Sequence, residues 1–309
     1  MILNTGSRTD IPAYYSDWFY NRIDDGYVLT RNPYNPQQVL KYILDPSVVD
    51  VLVFCTKNPK PMFSRIEKLK EYRQFWFVTL TPYGKDIEPN VPKKTTVVES
   101  IKKLSSLVGN KSVSYRYDPI FITEKYSMDY HLRAFEKIAS ELSGYVNSCV
   151  ISFIDLYEKT KRNFPSVRQV TPYEQDFLAK NFALIGKRYN IPIRSCCENV
   201  EFKKYGIDVS GCMTKEVLEY ATNCRLAIPN NKKPPRAECN CLLGADIGAY
   251  NTCPHDCLYC YANYNKDVVK KNYSLHNPNS PFLIGDFRKE DIIVEVNQQS
   301  YIDNQLRLF

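Results

Sequence analysis

Seven short apolar runs recur along this chain, at 1–4, 50–55, 74–80, 112–117, 148–154, 191–196 and 245–250. They are rich in β-branched and aromatic residues and mostly unalternated, as strands buried on both faces read. Helical patterns lie between them, at 14–24, 36–44, 61–72, 95–108, 128–142, 172–189 and 214–221. Thr171 before Pro172 is an N-cap followed by a proline at the first helical position. Strand–helix alternation of this length predicts right-handed crossovers and a parallel sheet. Seven strands in about 250 residues point to an α/β fold of the (β/α) TIM-like or partial-barrel type rather than a doubly wound sheet.

The residues that follow each run support that choice. They read Thr5-Gly-Ser-Arg8-Thr-Asp10, Thr56-Lys57-Asn58, Thr79-Leu-Thr81, Arg116-Tyr-Asp118, Ser152-Phe-Ile-Asp155 and Arg194-Ser-Cys196-Cys-Glu198. In a β/α barrel the C-terminal strand ends converge on one mouth, where chemistry gathers. Polar groups there also cap helices and pair with one another. With 3 histidines in the chain, acid–base work would fall to Asp10, Lys57, Asp118, Asp155 or Glu198. Arg116 beside Asp118 reads equally as a rim ion pair and as a substrate or cofactor contact. His131 reads as an ordinary packed or surface histidine.

A chain of 309 residues, 44% hydrophobic, suits one large domain. Residues 1–262 are expected to form the barrel, closed by the strand at 245–250 and the loop at 253–260. A Cys-rich insertion spans 198–244, and 263–309 forms a C-terminal tail or extension. The formal charge of +7 permits an anionic partner, yet falls short of a dedicated nucleic-acid binder. Lys232, Lys233 and Arg236 form a short basic patch. The N-terminal residues lack a basic, apolar leader pattern and no stretch approaches a membrane span, so a cytoplasmic protein is expected. In that compartment 11 cysteines argue for metal ligands and buried thiols over disulfides.

Two groups of cysteines stand out. Cys253, Cys257 and Cys260 have the spacing C-x3-C-x2-C, with Tyr259 just before the last. Three thiolates on a four-iron cluster leave one iron open for chemistry. Zinc would want four ligands, usually in C-x2-C pairs, and His255 is poorly placed to be one. The second group is Cys196, Cys212, Cys239 and Cys241, with Cys197 or Cys224 as substitutes. Four thiolates suit structural zinc or an auxiliary [4Fe–4S] cluster; buried small hydrophobes are the alternative. Cys55 and Cys149 sit in apolar strands and read as core.

The loop CPHDCLYCYAN resembles the cluster loop of radical S-adenosylmethionine enzymes. Nearly the whole chain resembles an uncharacterised bacterial family, domain of unknown function 1848. The matching stretches are SRTDIPAYYSDWF, TKNPKPM, LTPYGKDIEPN, YRYDPI, SFIDLYEKTKRN and DIGAYNTCPHDCLYCYAN. The resemblance implies a [4Fe–4S] cluster on Cys253, Cys257 and Cys260. It also implies S-adenosylmethionine as cofactor, Tyr259 packed by the cluster or the adenine, and hydrogen abstraction by a 5′-deoxyadenosyl radical. Because the triplet is C-terminal, the fold would be circularly permuted, with 245–250 as first strand and 1–4 as second. In place of a Gly-Gly-Glu segment the second strand is followed by Ser7-Arg8-Thr9-Asp10. There Arg8 would pair with a carboxylate and Asp10 accept from an amine, with Asn251 as a further cofactor contact. A radical enzyme also needs an electron donor such as flavodoxin or ferredoxin. The loop, with Tyr261 and Ala262, is similar to that of spore photoproduct lyase, which makes nucleic acid a candidate substrate. The rival readings are a non-catalytic iron–sulfur redox or iron sensor and a zinc-stabilised binding module.

Overall fold

The computed structural model describes residues 1–229, 239–242 and 244–303; the Lys232, Lys233 and Arg236 patch lies outside them. In chain order the strands are β1 (Ile2–Asn4), β2 (Tyr27–Asn32), β3 (Asn35–Ile43), β4 (Val51–Thr56), β5 (Gln74–Thr79), β6 (Val113–Ile120), β7 (Cys149–Phe153), β8 (Ile193–Ser195), β9 (Ala245–Asp246) and β10 (Ile292–Glu295). All seven expected strands form, and they make one sheet in the order β8-β7-β6-β5-β4-β1-β9. Every pairing in it is parallel. The strand latest in sequence, β9, pairs with the earliest, Leu3 facing Ala245 and Asn4 facing Asp246.

The sheet is open. Among the described residues β8 and β9 do not pair, so the barrel expected to close at 245–250 is not closed. Asp208 meets the outer edge of β8 instead, through a parallel bridge to Arg194.

Alternation along each strand sends side chains to two different cores. Leu52, Phe54, Trp76, Val78, Tyr115 and Ile151 face one side. There they pack on the helices α3 (Lys94–Val108), α4 (Met128–Leu142) and α6 (Pro172–Arg188) through Leu104, Phe135 and Phe182. Helix α6 starts where expected, with a capping box between Thr171 and Glu174 and Pro172 in its first turn. Ile2, Val51, Val53, Phe75, Phe77 and Val150 face the other side. A closed barrel would fill that space with its own side chains. Here described residues of the 198–244 segment cover it: Met213, Leu226 and, from α7 (Lys215–Thr222), Val217 and Leu218. The Cys-rich segment thus shares the sheet's core rather than standing apart.

Three local expectations change. The stretch expected as a helix at 36–44 is β3, which pairs antiparallel with β2 and parallel with β10. The 14–24 stretch is two helices, α1 (Ile11–Tyr14) and α2 (Ser16–Asp25), and the 61–72 stretch is a 3-10 helix at Lys60–Leu69. The tail docks. It carries α8 (Lys266–Ser274), and Trp18 Nε1 donates to the Ser280 carbonyl at 2.9 Å. Phe282 and Leu283 are buried. Among the described residues no helix is long and apolar enough to cross a membrane.

Candidate functional site

The C-terminal ends of the strands surround a cavity of about 490 Å³, within the range of small-molecule sites. Arg8 and Asp10 after β1, Lys57 after β4, Arg116 and Asp118 on β6, and Asp155 after β7 all line it. Both cysteine groups line it too: Cys196, Cys197, Cys212, Cys239 and Cys241 on one part, Cys253, Cys257 and Cys260 on another.

The loop after β9 is pinned from several sides. Asn263 Nδ2 donates to the Cys253 carbonyl and Asn90 Nδ2 to that of Pro254, each at 2.8 Å. The Leu258 amide donates to the Ile87 carbonyl at 3.0 Å. His255, in the middle of the loop, is 3% exposed. Its Nε2 meets Asp10 Oδ2 at 2.8 Å and its Nδ1 meets the Tyr14 hydroxyl at 3.0 Å. Burial pushes the thiols of Cys253, Cys257 and Cys260 upward. Opposing it are the His255 amide at Cys253, the Ala262 and Asn263 amides at Cys260, and Lys57, which favours the thiolates of Cys257 and Cys260. Asp10 beside Cys253 and Glu88 beside Cys257 add to the effect of burial, so all three thiols stay raised; the amides and Lys57 are the groups that would offset the charge of a bound thiolate cluster.

Several predicted polar residues are already engaged. Asp10 is 6% exposed. It caps α1 by accepting from the Ala13 amide at 3.0 Å, and it accepts from the Lys57 amide at 2.7 Å besides His255. Arg8 donates to the Asp246 carbonyl on β9 and lies 3.5 Å from its carboxylate. Arg116 and Asp118 form the rim ion pair, through Nε at 3.0 Å and Nη2 at 2.6 Å to one oxygen. Asp155 is exposed on the cavity wall and accepts from the Tyr157 hydroxyl at 3.1 Å. Asn251 does not line the cavity. It has a left-handed backbone (φ 57°), and its side chain accepts from the Tyr264 amide. Glu198 accepts from Ser152 Oγ at 2.8 Å and the Phe153 amide at 2.7 Å. Burial raises its carboxyl to about 8.

Glu88 is a site residue that sequence reasoning missed. It is 1% exposed and gathers Lys57 Nζ at 2.8 Å, Thr81 Oγ1 at 2.7 Å, Lys94 and the Tyr259 hydroxyl. It therefore joins Tyr259 of the loop to the strand ends. Its one sequence signal is an acid set between Ile87 and Pro89 where a loop dips inward.

Gly6 marks the closest approach of two cavity-lining segments. A Cβ there would stand 2.3 Å from the Cys55 carbonyl oxygen and 2.6 Å from its Cβ. Gly6→Ala is expected to cost about 1–3 kcal/mol through overpacking. Denaturant titration checks this, and a loss below about 0.5 kcal/mol would show that the strand ends yield.

The second group holds five thiols, not four. Cys196, Cys212 and Cys241 have their sulfurs within 4.8 Å of one another, and so do Cys196, Cys197 and Cys239. Either set could hold a metal ion. Cys241 Sγ lies 3.4 Å from Cys212 Sγ and 3.6 Å from Cys196 Sγ. Arg116 Nη1 donates to Cys212 Sγ at 3.3 Å. Cys224 is in neither set and contacts Thr222 Oγ1 at 3.0 Å; Cys149 is core, as expected, and Cys55 lines the cavity.

No curated protein and no solved structure matches the chain. A family model described as "Domain of unknown function (DUF1848)" matches residues 2–262. The match takes in all seven strands, the strand-end residues and the cysteine loop, and the chain belongs to the DUF1848 family.

Proposed function

We propose that this chain is an iron–sulfur enzyme whose [4Fe–4S] cluster is held by Cys253, Cys257 and Cys260. The open parallel sheet would be a circular permutation of the radical S-adenosylmethionine layout, with β9 as first strand and β1 as second. The observation that carries the reading is the setting of the triplet. The three thiols line a cavity ringed by strand ends, Cys257 buried and Cys253 and Cys260 half-buried, with the His255, Ala262 and Asn263 amides and Lys57 favouring their thiolates. When bound, the cluster supplies one-electron chemistry and an iron without a protein ligand.

The chain's own residues have separate tasks. His255 and Asp10 lock the loop against the end of β1. Glu88 fixes Tyr259 and Lys57 beside it. Arg116, Asp118 and Asp155 are the charged groups on the wall that would orient a substrate. Arg8 already pairs with Asp246, and Asp10 already accepts from Ala13, Lys57 and His255, so they would meet the carboxylate and amine of S-adenosylmethionine through the hydrogen-bonding capacity they have left. That cofactor is supported by the resemblance of the loop and the size of the cavity. A flavodoxin or ferredoxin would serve as electron donor, and nucleic acid remains a candidate substrate class.

The test is purification without oxygen, reconstitution, and assay of iron and sulfide. About four of each per chain are expected on the loop, lost together in C253A/C257A/C260A. Reduction with S-adenosylmethionine present is expected to yield 5′-deoxyadenosine. Iron unchanged by the triple substitution overturns the cluster assignment. An intact, reducible cluster whose spectrum ignores S-adenosylmethionine overturns the radical reading and leaves a redox or iron sensor.

A further inference from the structure

The geometry points to a second metal centre, distinct in kind from the first: a single tetrahedral thiolate-bound ion of the zinc class. It would be held by Cys196, Cys212, Cys241 and Cys239 on the wall of the same cavity. A bond of about 2.3 Å from zinc to sulfur sets the edge of a regular tetrahedron at about 3.8 Å. The sulfurs of Cys212 and Cys241 stand 3.4 Å apart, and those of Cys196 and Cys241 3.6 Å. Thiols so close suit one shared ion. In a four-iron cluster each cysteine binds a different iron, which spreads the sulfurs further. Among the described residues, the triplet Cys253, Cys257 and Cys260 is not among the groups with all sulfurs within 4.8 Å.

Cys196 belongs to both close sets, and no four of these sulfurs lie within 4.8 Å of one another, so the fourth ligand would close in on the ion from the set Cys196 shares with Cys197 and Cys239. Cys239 is the better placed of the two. It is 5% exposed, and its sulfur already meets the Cys241 amide at 3.4 Å. Arg116 donates to Cys212 Sγ at 3.3 Å, a hydrogen bond that would offset part of the negative charge of a tetrathiolate site. The ion would tie together the end of β8, the turn before α7 and the segment before β9. Those are the pieces that lay the 198–244 segment over the open face of the sheet.

The test uses the full-length C253A/C257A/C260A chain, purified without oxygen, so that iron on the loop cannot contribute. About one zinc per chain is expected, with no sulfide. Exchange with cobalt(II) is expected to give intense visible bands and a sulfur-to-cobalt charge-transfer band, both signatures of a tetrahedral thiolate site. C212S/C241S added to that chain should abolish both. Should the combined variant not fold, wild-type protein decides, with about one zinc beyond the iron of the loop. Absence of zinc and of the cobalt spectrum overturns the proposal, as does zinc that survives C212S/C241S. Iron with sulfide in the triple variant overturns the single-ion assignment in favour of an auxiliary cluster. In the triple variant none of these outcomes depends on whether the loop carries a cluster, and in wild-type protein loss of the zinc with C212S/C241S assigns it to this site.

Discussion

Glu88→Gln should cost about 3–5 kcal/mol, the usual loss when one partner of a buried charge pair is removed. The carboxylate is 1% exposed. Burial works against its charge, but Lys57 and Lys94 outweigh burial and hold its carboxyl at about 2. Glutamine keeps the shape and one acceptor oxygen while removing the charge. Lys57, with a side chain only 14% exposed, then has no counter-charge at 2.8 Å. Lys94 is more exposed, at 30%, and can turn to water. Denaturant unfolding of wild type and variant measures the loss, and a fall in melting temperature on the order of 10 °C should accompany it. The double variant Lys57→Met/Glu88→Gln should recover part of it, because it removes both buried charges. A double-mutant cycle gives the coupling. A loss under about 1 kcal/mol would mean that water reaches Glu88 and that the network is a surface one.

The seven sheet strands were legible because each is a short apolar run bounded by polar residues, and burial on both faces leaves that mark in composition. Their closure was not legible. Whether β8 meets β9 depends on what fills the concave face, and the 198–244 segment has too little periodicity to announce that it packs on Val53 and Phe77. The error at β3 has a related cause. Val39, Leu40 and Ile43 have helical spacing, but β2 and the distant β10 supply hydrogen bonds on both sides and settle the strand. Short apolar runs are ambiguous by periodicity, and long-range pairing decides.

The polar strand ends located the cavity but not which groups would be free within it. Arg8 and Asp10 read as ligand contacts because arginine and aspartate at strand ends usually are candidates. Their partners, Asp246 and His255, lie more than two hundred residues away in sequence. Glu88 escaped for the same reason. Its importance comes from Lys57, Lys94 and Tyr259 meeting at one point. Cysteines were more legible than carboxylates, since their spacing alone suggests a metal. Even so, Cys197, which the spacing offers only as a substitute, forms a close set of its own with Cys196 and Cys239.

A pH dependence separate from the cysteine sites should come from His131. It is fully buried on α4. The neutral ring is satisfied on both sides: Nδ1 accepts from the Tyr117 hydroxyl at 2.8 Å, and Nε2 donates to the Phe121 carbonyl at 2.9 Å. Burial lowers its pKa from 6.5 to about 4, with the Phe121 carbonyl opposing the shift. The unfolded chain therefore takes up a proton below about 6.5 that the folded chain refuses until about 4. The stabilisation is fully present above pH 6.5 and is lost progressively as pH falls toward 4, by about 3 kcal/mol over that span. The rings around the imidazole are Tyr83, Tyr117 and Tyr130, all neutral over this range. His131→Gln can keep hydrogen bonds to Tyr117 and Phe121 without titrating. Denaturation midpoints between pH 7 and pH 4 should fall more steeply for wild type than for this variant. Parallel curves would show that the folded histidine protonates as readily as the unfolded one, which would overturn the shift.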